Sequence, residues 1–334
     1  MATLRALCLS LSLLIAKSAY GYDFSDVHII KSMSVKVIDD HYNALMSHLD
    51  GKKGEVKILK RNAFNAQNST LNIKNYLASL KKKPKLLISM ATLASKYLAA
   101  YAKEHKIPLL FVTVSQPIEA GLIKEFDKPT GSLITGVSHT IPISAIVGYL
   151  NEMARVEKKK GPIRFGYVHS SYPSEVGFRD RLLKEFAASH EMSLISKEIT
   201  YRPKDKKSMK ADFFTAASSI DNQIDFFIMP IGPLSLFDGF TKGLKERTKK
   251  AILFCSHQKS LEEGALFLID SNTKEVGRLA SQMLLSFLDG KKIGQIAPRR
   301  VASVKLGLNL KVAKERGFIV PSHILRLSVD YLIK

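Results

Sequence analysis

The sequence predicts an α/β protein built from two doubly wound parallel-sheet lobes joined by hinge strands. Short apolar runs alternate with helical stretches along the chain, and this alternation restarts after Ser138. Strands that alternate with helices indicate parallel sheets with right-handed crossovers. The 334 residues also exceed the length at which one hydrophobic core usually divides into two.

In the first half, the apolar runs 86–90 and 109–114 are typical of strands covered on both faces. A third run, residues 132–138, leads the chain out of this first α/β unit. The other predicted elements of this half are strands at 27–31 and 56–59 and helices at 35–49, 71–80 and 94–104.

In the second half, the same alternation predicts a further set of strands and helices. The strands are 164–168, 193–199, 226–229, 251–255 and 266–269, and the helices are 144–156, 175–189, 207–220, 236–244 and 273–288.

The N-terminus has the pattern of a cleaved secretory signal over residues 1–21. Arg5 precedes an apolar stretch from Ala6 to Ala16, and Ala19-Tyr20-Gly21 supplies small residues for cleavage before Tyr22. The apolar stretch is too short to span a bilayer. Cleavage removes Cys8 and leaves only Cys255, which excludes an internal disulfide.

The chain is strongly basic, with a formal net charge of +21 that falls to +19 after removal of Arg5 and Lys17. Such a charge is compatible with nucleic acid or a membrane surface. The lysines, however, form short groups at helix ends and in loops, such as 81–83 and 158–160, without interleaved aromatic residues. We therefore expect these lysines to be exposed to solvent and the protein to have no nucleic-acid partner. The alternative is that they attract anionic lipid or an acidic partner.

Motifs of catalysis are missing from the sequence. No G-x-G-x-x-G, phosphate-binding loop, G-x-S-x-G or H-E-x-x-H pattern occurs, and the nine histidines have no close metal-ligand spacing. We therefore expect a binding protein rather than an enzyme, with no cofactor and no metal.

Several motifs carry a resemblance to a known family. Ala91-Thr92 follows one apolar run and Ser115-Gln116-Pro117 the next, and A-G-L-I and G-S-L-I-T-G-V-S come after them at 120–123 and 131–138. N-A-Q at 65–67, E-G-A-L at 263–266, E-V-G-R at 275–278 and the closing segment 308–321 extend the pattern along the chain. In these segments the sequence resembles ABC-transporter substrate-binding proteins of the tryptophan/tyrosine type.

The resemblance implies the periplasmic binding protein type I fold, in which a small ligand is held between two lobes. By analogy with the family's crossovers, lobe I comprises residues 22–138 and lobe II residues 139–269. Residues 270–304 then return to lobe I, and residues 305–334 return to lobe II.

Candidate ligand contacts follow the predicted strands, because ligands of open parallel sheets bind at the carboxyl ends of the strands. In the first lobe they are Ser32, Ser34, Asn65, Gln67, Thr92, Ser115 and Gln116. Helix capping is the alternative role for each, since Ser, Thr and Asn are favoured at N-caps without any ligand.

In the hinge and the second lobe the candidates are Ser138, His139, Ser170, Tyr172, Gly232, Ser256, His257 and Asp270. Relatives commonly carry acids in the turns that follow 226–229 and 254–255, whereas this chain has Gly232 and His257 in those turns. Two acids expected near an amino-acid ligand's ammonium group are therefore missing. Asp270 is an acid that could serve instead.

The predicted function is capture of a small solute, with an aromatic amino acid as one candidate, for an ABC importer. The partners would be the ligand and a permease in the cytoplasmic membrane, and the protein would be a periplasmic or other extracytoplasmic monomer. The alternatives are a sensor reporting to a membrane receptor, and a carboxylated or heteroaromatic ligand with His257 or Lys259 as counter-charge.

We expect the exported protein to start near Tyr22, because the cleavage pattern ends at Gly21. N-terminal sequencing of the secreted form checks this. A lipid on Cys8, or an uncleaved N-terminus, would contradict the prediction.

Overall fold

The computed structural model describes residues 22–49, 53–158, 160–189, 191–329 and 331–334. The predicted signal, residues 1–21, lies outside them. The chain divides into two compact α/β units, which confirms the predicted fold class. Of the described residues, unit 1 contains those within 22–113, 122–137 and 276–299, and unit 2 contains those within 114–121, 138–275 and 300–334.

The elements, in chain order, are as follows. The first part comprises β1 Val27–Lys31, α1 Lys36–Ser47, α2 Lys53–Arg61, β2 Ala63–Asn65, α3 Thr70–Ser79, β3 Leu86–Met90, α4 Thr92–His105, β4 Leu109–Val114 and β5 Ile134–Ser138. The middle comprises α5 Ile143–Glu157, β6 Ile163–Ser170, α6 Pro173–Ser189, β7 Met192–Ile199, α7 Lys206–Ile220, β8 Phe226–Ile228, α8 Pro233–Leu236, α9 Phe240–Arg247, β9 Ala251–Cys255, α10 Gln258–Glu262 and β10 Phe267–Ser271. The last part comprises α11 Thr273–Leu288, β11 Arg299–Arg300, β12 Val304–Asn309, α12 Leu310–Arg316, α13 Ser322–Leu327 and β13 Leu332–Ile333.

Both sheets repeat one strand order. The first is β11-β5-β4-β3-β1-β2 and the second is β13-β12-β10-β9-β8-β6-β7. β1 pairs in parallel with β2 and β3, and β6 pairs in parallel with β7 and β8. The order of strands therefore reverses between β1 and β3 and again between β6 and β8. Ligands of doubly wound sheets bind at such switch points, outside the carboxyl ends of the strands, an edge we call the carboxyl edge.

The central strands are buried on both faces, as their apolar sequences predict. Every residue of β3 and β4 is buried. In unit 2, alternate residues of β6 enter two different cores, Phe165 on one side of the sheet and Val168 on the other. Helices covering both faces of each sheet supply the rest of these cores.

Two sequence-based predictions of elements are wrong. Residues 56–59 belong to α2 rather than to a strand: Val56 and Leu59 are buried whereas Ile58 is exposed, which is a helical period. The predicted helix 236–244 is divided: α8 ends where Phe237 is extended, and α9 begins after Gly239, which has a φ of +76°.

The backbone at the carboxyl edge of unit 1 holds two strained residues. Ala91, between β3 and α4, has φ +70° and ψ 165°, a region that is essentially restricted to glycine. Thr113 near the end of β4 has φ +61°, which is unusual for a β-branched residue.

We expect Ala91→Gly to stabilise the protein by about 1 kcal/mol, because glycine adopts this conformation without strain. Ala100→Gly, at an exposed position inside α4, is the matched control and should cost about 0.5–1 kcal/mol. Urea denaturation measures both. A loss of stability in Ala91→Gly would show that the backbone there is not strained.

Candidate functional site

A serine hydroxyl connects the chain segments that meet at the switch point of unit 1. Ser32, directly after β1, is fully buried; its Oγ donates to Met90 O at 3.0 Å and accepts from Ala94 N at 2.9 Å. The hydroxyl thus joins the end of β1 to the end of β3 and the start of α4. Thr92, the first residue of α4, is also buried at this edge.

The other candidates of unit 1 are more exposed. Ser34 Oγ lies 3.2 Å from Lys31 Nζ and 3.3 Å from Asp39 Oδ1, beside the Lys31–Asp39 ion pair. Asn65 Oδ1 accepts a hydrogen bond from the backbone of Gln67, so it orders the turn after β2. Gln67 itself is exposed.

Ser115 and Gln116, which the sequence placed in the first lobe, belong to unit 2 in the structure. Ser138 Oγ donates to Val114 O at 2.9 Å, and Thr140 Oγ1 donates to Ser115 O. These hydroxyls bind the start of the segment 114–121 to residues 138–140, which precede α5. His139, between the two, is partly buried.

At the switch point of unit 2, a buried carboxylate joins two loops. Glu175, the third residue of α6, is fully buried. Its Oε2 accepts from Ser170 N at 2.6 Å and Ser170 Oγ at 2.9 Å, and its Oε1 accepts from Leu234 N at 3.0 Å. Burial raises the pKa of Glu175 to about 7. The penalty for ionising it removes stability as pH rises from about 4.5 to 7.

Tyr172 and Gly232 flank this carboxylate. Tyr172 is buried and packs edge-on against Tyr201, with ring centroids 4.9 Å apart. Gly232 precedes α8, and a Cβ there would lie 2.4 Å from Glu175 Cγ. The glycine is thus required by the space that Glu175 fills.

Farther along this edge, His257 forms the N-cap of α10 through its backbone. Burial lowers the pKa of its imidazole to about 4, so the ring is neutral at neutral pH. Protonation of this ring is disfavoured in the folded state, so stability falls as pH falls from about 6.5 to 4. Asp270, near the end of β10, accepts from Ser271 N at 2.7 Å, and Lys259 pairs with Asp238.

Three buried polar atoms at the carboxyl edge of unit 2 have no hydrogen-bond partner within the described residues. They are Nε2 of His169 near the end of β6, Oγ of Ser256 after β9, and Oγ of Ser271 at the end of β10. Buried polar groups normally have partners, so these atoms mark a place where solvent or ligand groups are needed.

Ser256 is among the candidate residues taken from the sequence, whereas Glu175, His169 and Ser271 are not. An acid at the third position of a helix after a serine-rich turn is a capping signal, which indicates that a helix starts near Glu175 but not that this residue is buried. His169 and Ser271 lie inside apolar strand patterns and give no such signal.

The described ranges contain neither a candidate metal site nor a helix that could span a membrane. No group of three or more His, Cys, Asp or Glu residues there could hold a metal ion. No helix there is long and apolar enough to cross a membrane.

Comparison with known proteins identifies the family. Residues 26–331 match the family described as ABC transporter substrate binding protein. The chain belongs to this family. ABC transporter substrate-binding proteins act outside the cytoplasm, and the α/β units described above have the strand order expected of their type I fold.

Relatives with similar sequence or structure agree with this assignment. A tyrosine-binding protein of Clostridioides difficile is 25% identical over 254 residues, which are 76% of this chain and 68% of the relative. An ABC domain of Streptococcus pneumoniae in complex with L-Trp has a TM-score of 0.73 at 20% identity, covering 92% of this substrate-binding protein and 100% of that chain. A ligand-free, open substrate-binding protein with adhesive properties from Clostridium difficile has a TM-score of 0.63 at 19% identity, with 92% and 98% coverage.

We expect Gly232→Ala to cost about 1–3 kcal/mol, because the new methyl group overlaps the Glu175 side chain. In a Glu175→Ala background the same change should cost much less, and the two effects should be non-additive. Gly148→Ala, on the exposed face of α5 with open space around it, is the additive control. Urea denaturation of the variants decides; additivity of the first pair would contradict the predicted contact.

Proposed function

We propose that this protein captures a small solute, an aromatic amino acid, with L-tyrosine and L-tryptophan as the first candidates. It delivers the amino acid to the permease of an ABC importer in the cytoplasmic membrane. It works as a periplasmic monomer after signal cleavage, without catalysis and without a cofactor.

The unpartnered polar atoms at the carboxyl edge of unit 2 are the observation that carries the site. A zwitterionic ligand has both donors and acceptors, which suit a hydroxyl such as Ser256 Oγ and an imidazole nitrogen such as His169 Nε2. The choice of an aromatic amino acid is supported by the relatives, one named for tyrosine and one solved with L-Trp.

The alternative of a carboxylated ligand held by a counter-charge has less support. His257 is neutral at neutral pH because its pKa is lowered to about 4. Lys259 pairs with Asp238. Asp270 at the same edge carries the negative charge that suits an ammonium group, which favours an amino acid.

The ligand-contact residues named from the sequence remain proposals, and Ser115, Gln116 and His257 are the most informative. Ser115→Ala or Gln116→Ala should remove a hydrogen bond to ligand, which costs about 1–3 kcal/mol or roughly five- to more than a hundred-fold in affinity. His257→Asp adds an acid and should strengthen binding of zwitterionic amino acids relative to ligands without an ammonium group.

A thermal-shift screen over amino acids, nucleobases and small carboxylates identifies the ligand, and titration calorimetry then measures the variants. Ser219→Ala, at the exposed end of α7, is the control and should bind like the wild type. Unchanged affinity in all three site variants would show that these turns do not form the site.

A further inference from the structure

The loops at the unit 2 switch point are joined by side-chain chemistry rather than by strand pairing. Glu175 lies between them and accepts two hydrogen bonds from Ser170, at the end of β6, and one from Leu234, which follows the loop after β8. Ser170, Tyr172 and Gly232, all proposed ligand contacts, lie within two residues of these bonds.

We infer that Glu175 is a positioning residue, whose carboxylate holds the loop after β6 against the loop after β8 and so sets the shape of the ligand edge of unit 2. This inference rests on the proposed function and names a residue that acts through others. Glu175 is fully buried, so its effect reaches a ligand through Ser170, Tyr172 and Gly232.

The chemistry of the contacts requires a carboxylate. All three groups that bind Glu175 are donors: two backbone N–H groups and a hydroxyl. A glutamine amide would place its own N–H₂ against one of these N–H donors and would release one loop. The missing side chain at Gly232 leaves the space in which the carboxylate sits.

The connection continues to a third loop. Ser235 Oγ donates to Gly232 O at 2.8 Å, and Ser260 Oγ donates to Ser235 O at 3.2 Å. Ser260 belongs to α10, which starts directly after the proposed contacts Ser256 and His257. The loops after β6, β8 and β9 are thus linked in series, with Glu175 at the first link.

The charge of Glu175 is stabilised by hydrogen bonds from Ser170 and Leu234 and not by a neighbouring cation among the described residues. Tyr167 of β6 donates its hydroxyl to the backbone carbonyl of Glu175 at 3.2 Å. Burial raises the pKa values of Tyr172 and Tyr201, and the nearby charge of Glu175 adds to the effect. On α6 itself, Arg179 pairs with Asp180 and Glu198. Within the described chain, no cation forms an ion pair with Glu175.

Ligand binding should therefore depend on the proton of Glu175. The ionised carboxylate accepts all three hydrogen bonds, whereas the protonated acid has a hydroxyl that is a poor acceptor for one of the loops. Affinity should rise by up to about tenfold between pH 6 and pH 8, and binding at pH 7 should release part of a proton.

The first experiment needs no ligand. Hydrogen exchange of the Ser170 and Leu234 amides is measured in the wild type, in Glu175→Gln and in Glu185→Gln, a control with the same charge change farther along α6. We expect exchange at one or both amides to be at least about tenfold faster in Glu175→Gln alone. Unchanged exchange at both amides overturns the inference.

The second experiment measures binding of L-tyrosine and L-tryptophan by calorimetry at pH 7, in two buffers with different protonation enthalpies. Glu175→Gln should bind about tenfold more weakly and lose the proton release, while Glu185→Gln should keep both. Equal affinity in Glu175→Gln and wild type overturns the role in binding. If the wild type binds neither amino acid, the proposed ligand class fails and the exchange data alone decide whether Glu175 positions the loops.

A second variant covers the case in which Glu175→Gln does not fold. Ser170→Ala keeps the carboxylate and removes one donor, so the pKa of Glu175 should rise and the pH dependence of binding should move to higher pH. An unchanged pH profile in Ser170→Ala contradicts the inference.

Discussion

Parallel strand pairing is the constraint on which each unit depends. Two parallel neighbours must be connected by a crossover, so every strand of the series ends at the same edge of its sheet. The loops after β1 and β3 therefore lie together in unit 1, and those after β6, β8 and β9 lie together in unit 2. Polar residues that are far apart in sequence meet at these edges because of pairing alone.

The two units meet this constraint with different chemistry. Unit 1 joins the loops at its switch point through one neutral hydroxyl, Ser32, which donates once and accepts once. Unit 2 uses Glu175, which accepts three hydrogen bonds and can gain a proton. Two switch points with the same strand order are thus joined by different groups, one a neutral hydroxyl and the other a carboxyl group that can gain a proton.

The sequence predicts the buried strands well and the site less well, for physical reasons. The run Leu86–Met90 has the observed bounds of β3, because a strand buried on both faces has no polar interruption. A four-residue segment such as Val-Lys-Ile-Leu at 56–59 fits a helix face and a strand equally, and only packing around Val56 and Leu59 decides between them. Glu175 has the sequence pattern of an ordinary surface helix start. Its burial depends on the loop after β8, nearly sixty residues later, which no local pattern contains.

The division of each unit into separate stretches has a consequence for biosynthesis. β10 receives its antiparallel neighbour β12 from residues 304–309, and the unit 1 stretch 276–299 is made just before it. Neither sheet can therefore reach its final strand complement while the ribosome is still translating the middle of the chain. Only the pairings that involve β11, β12 and β13 await the last residues to be made, so one late stretch of chain completes both sheets.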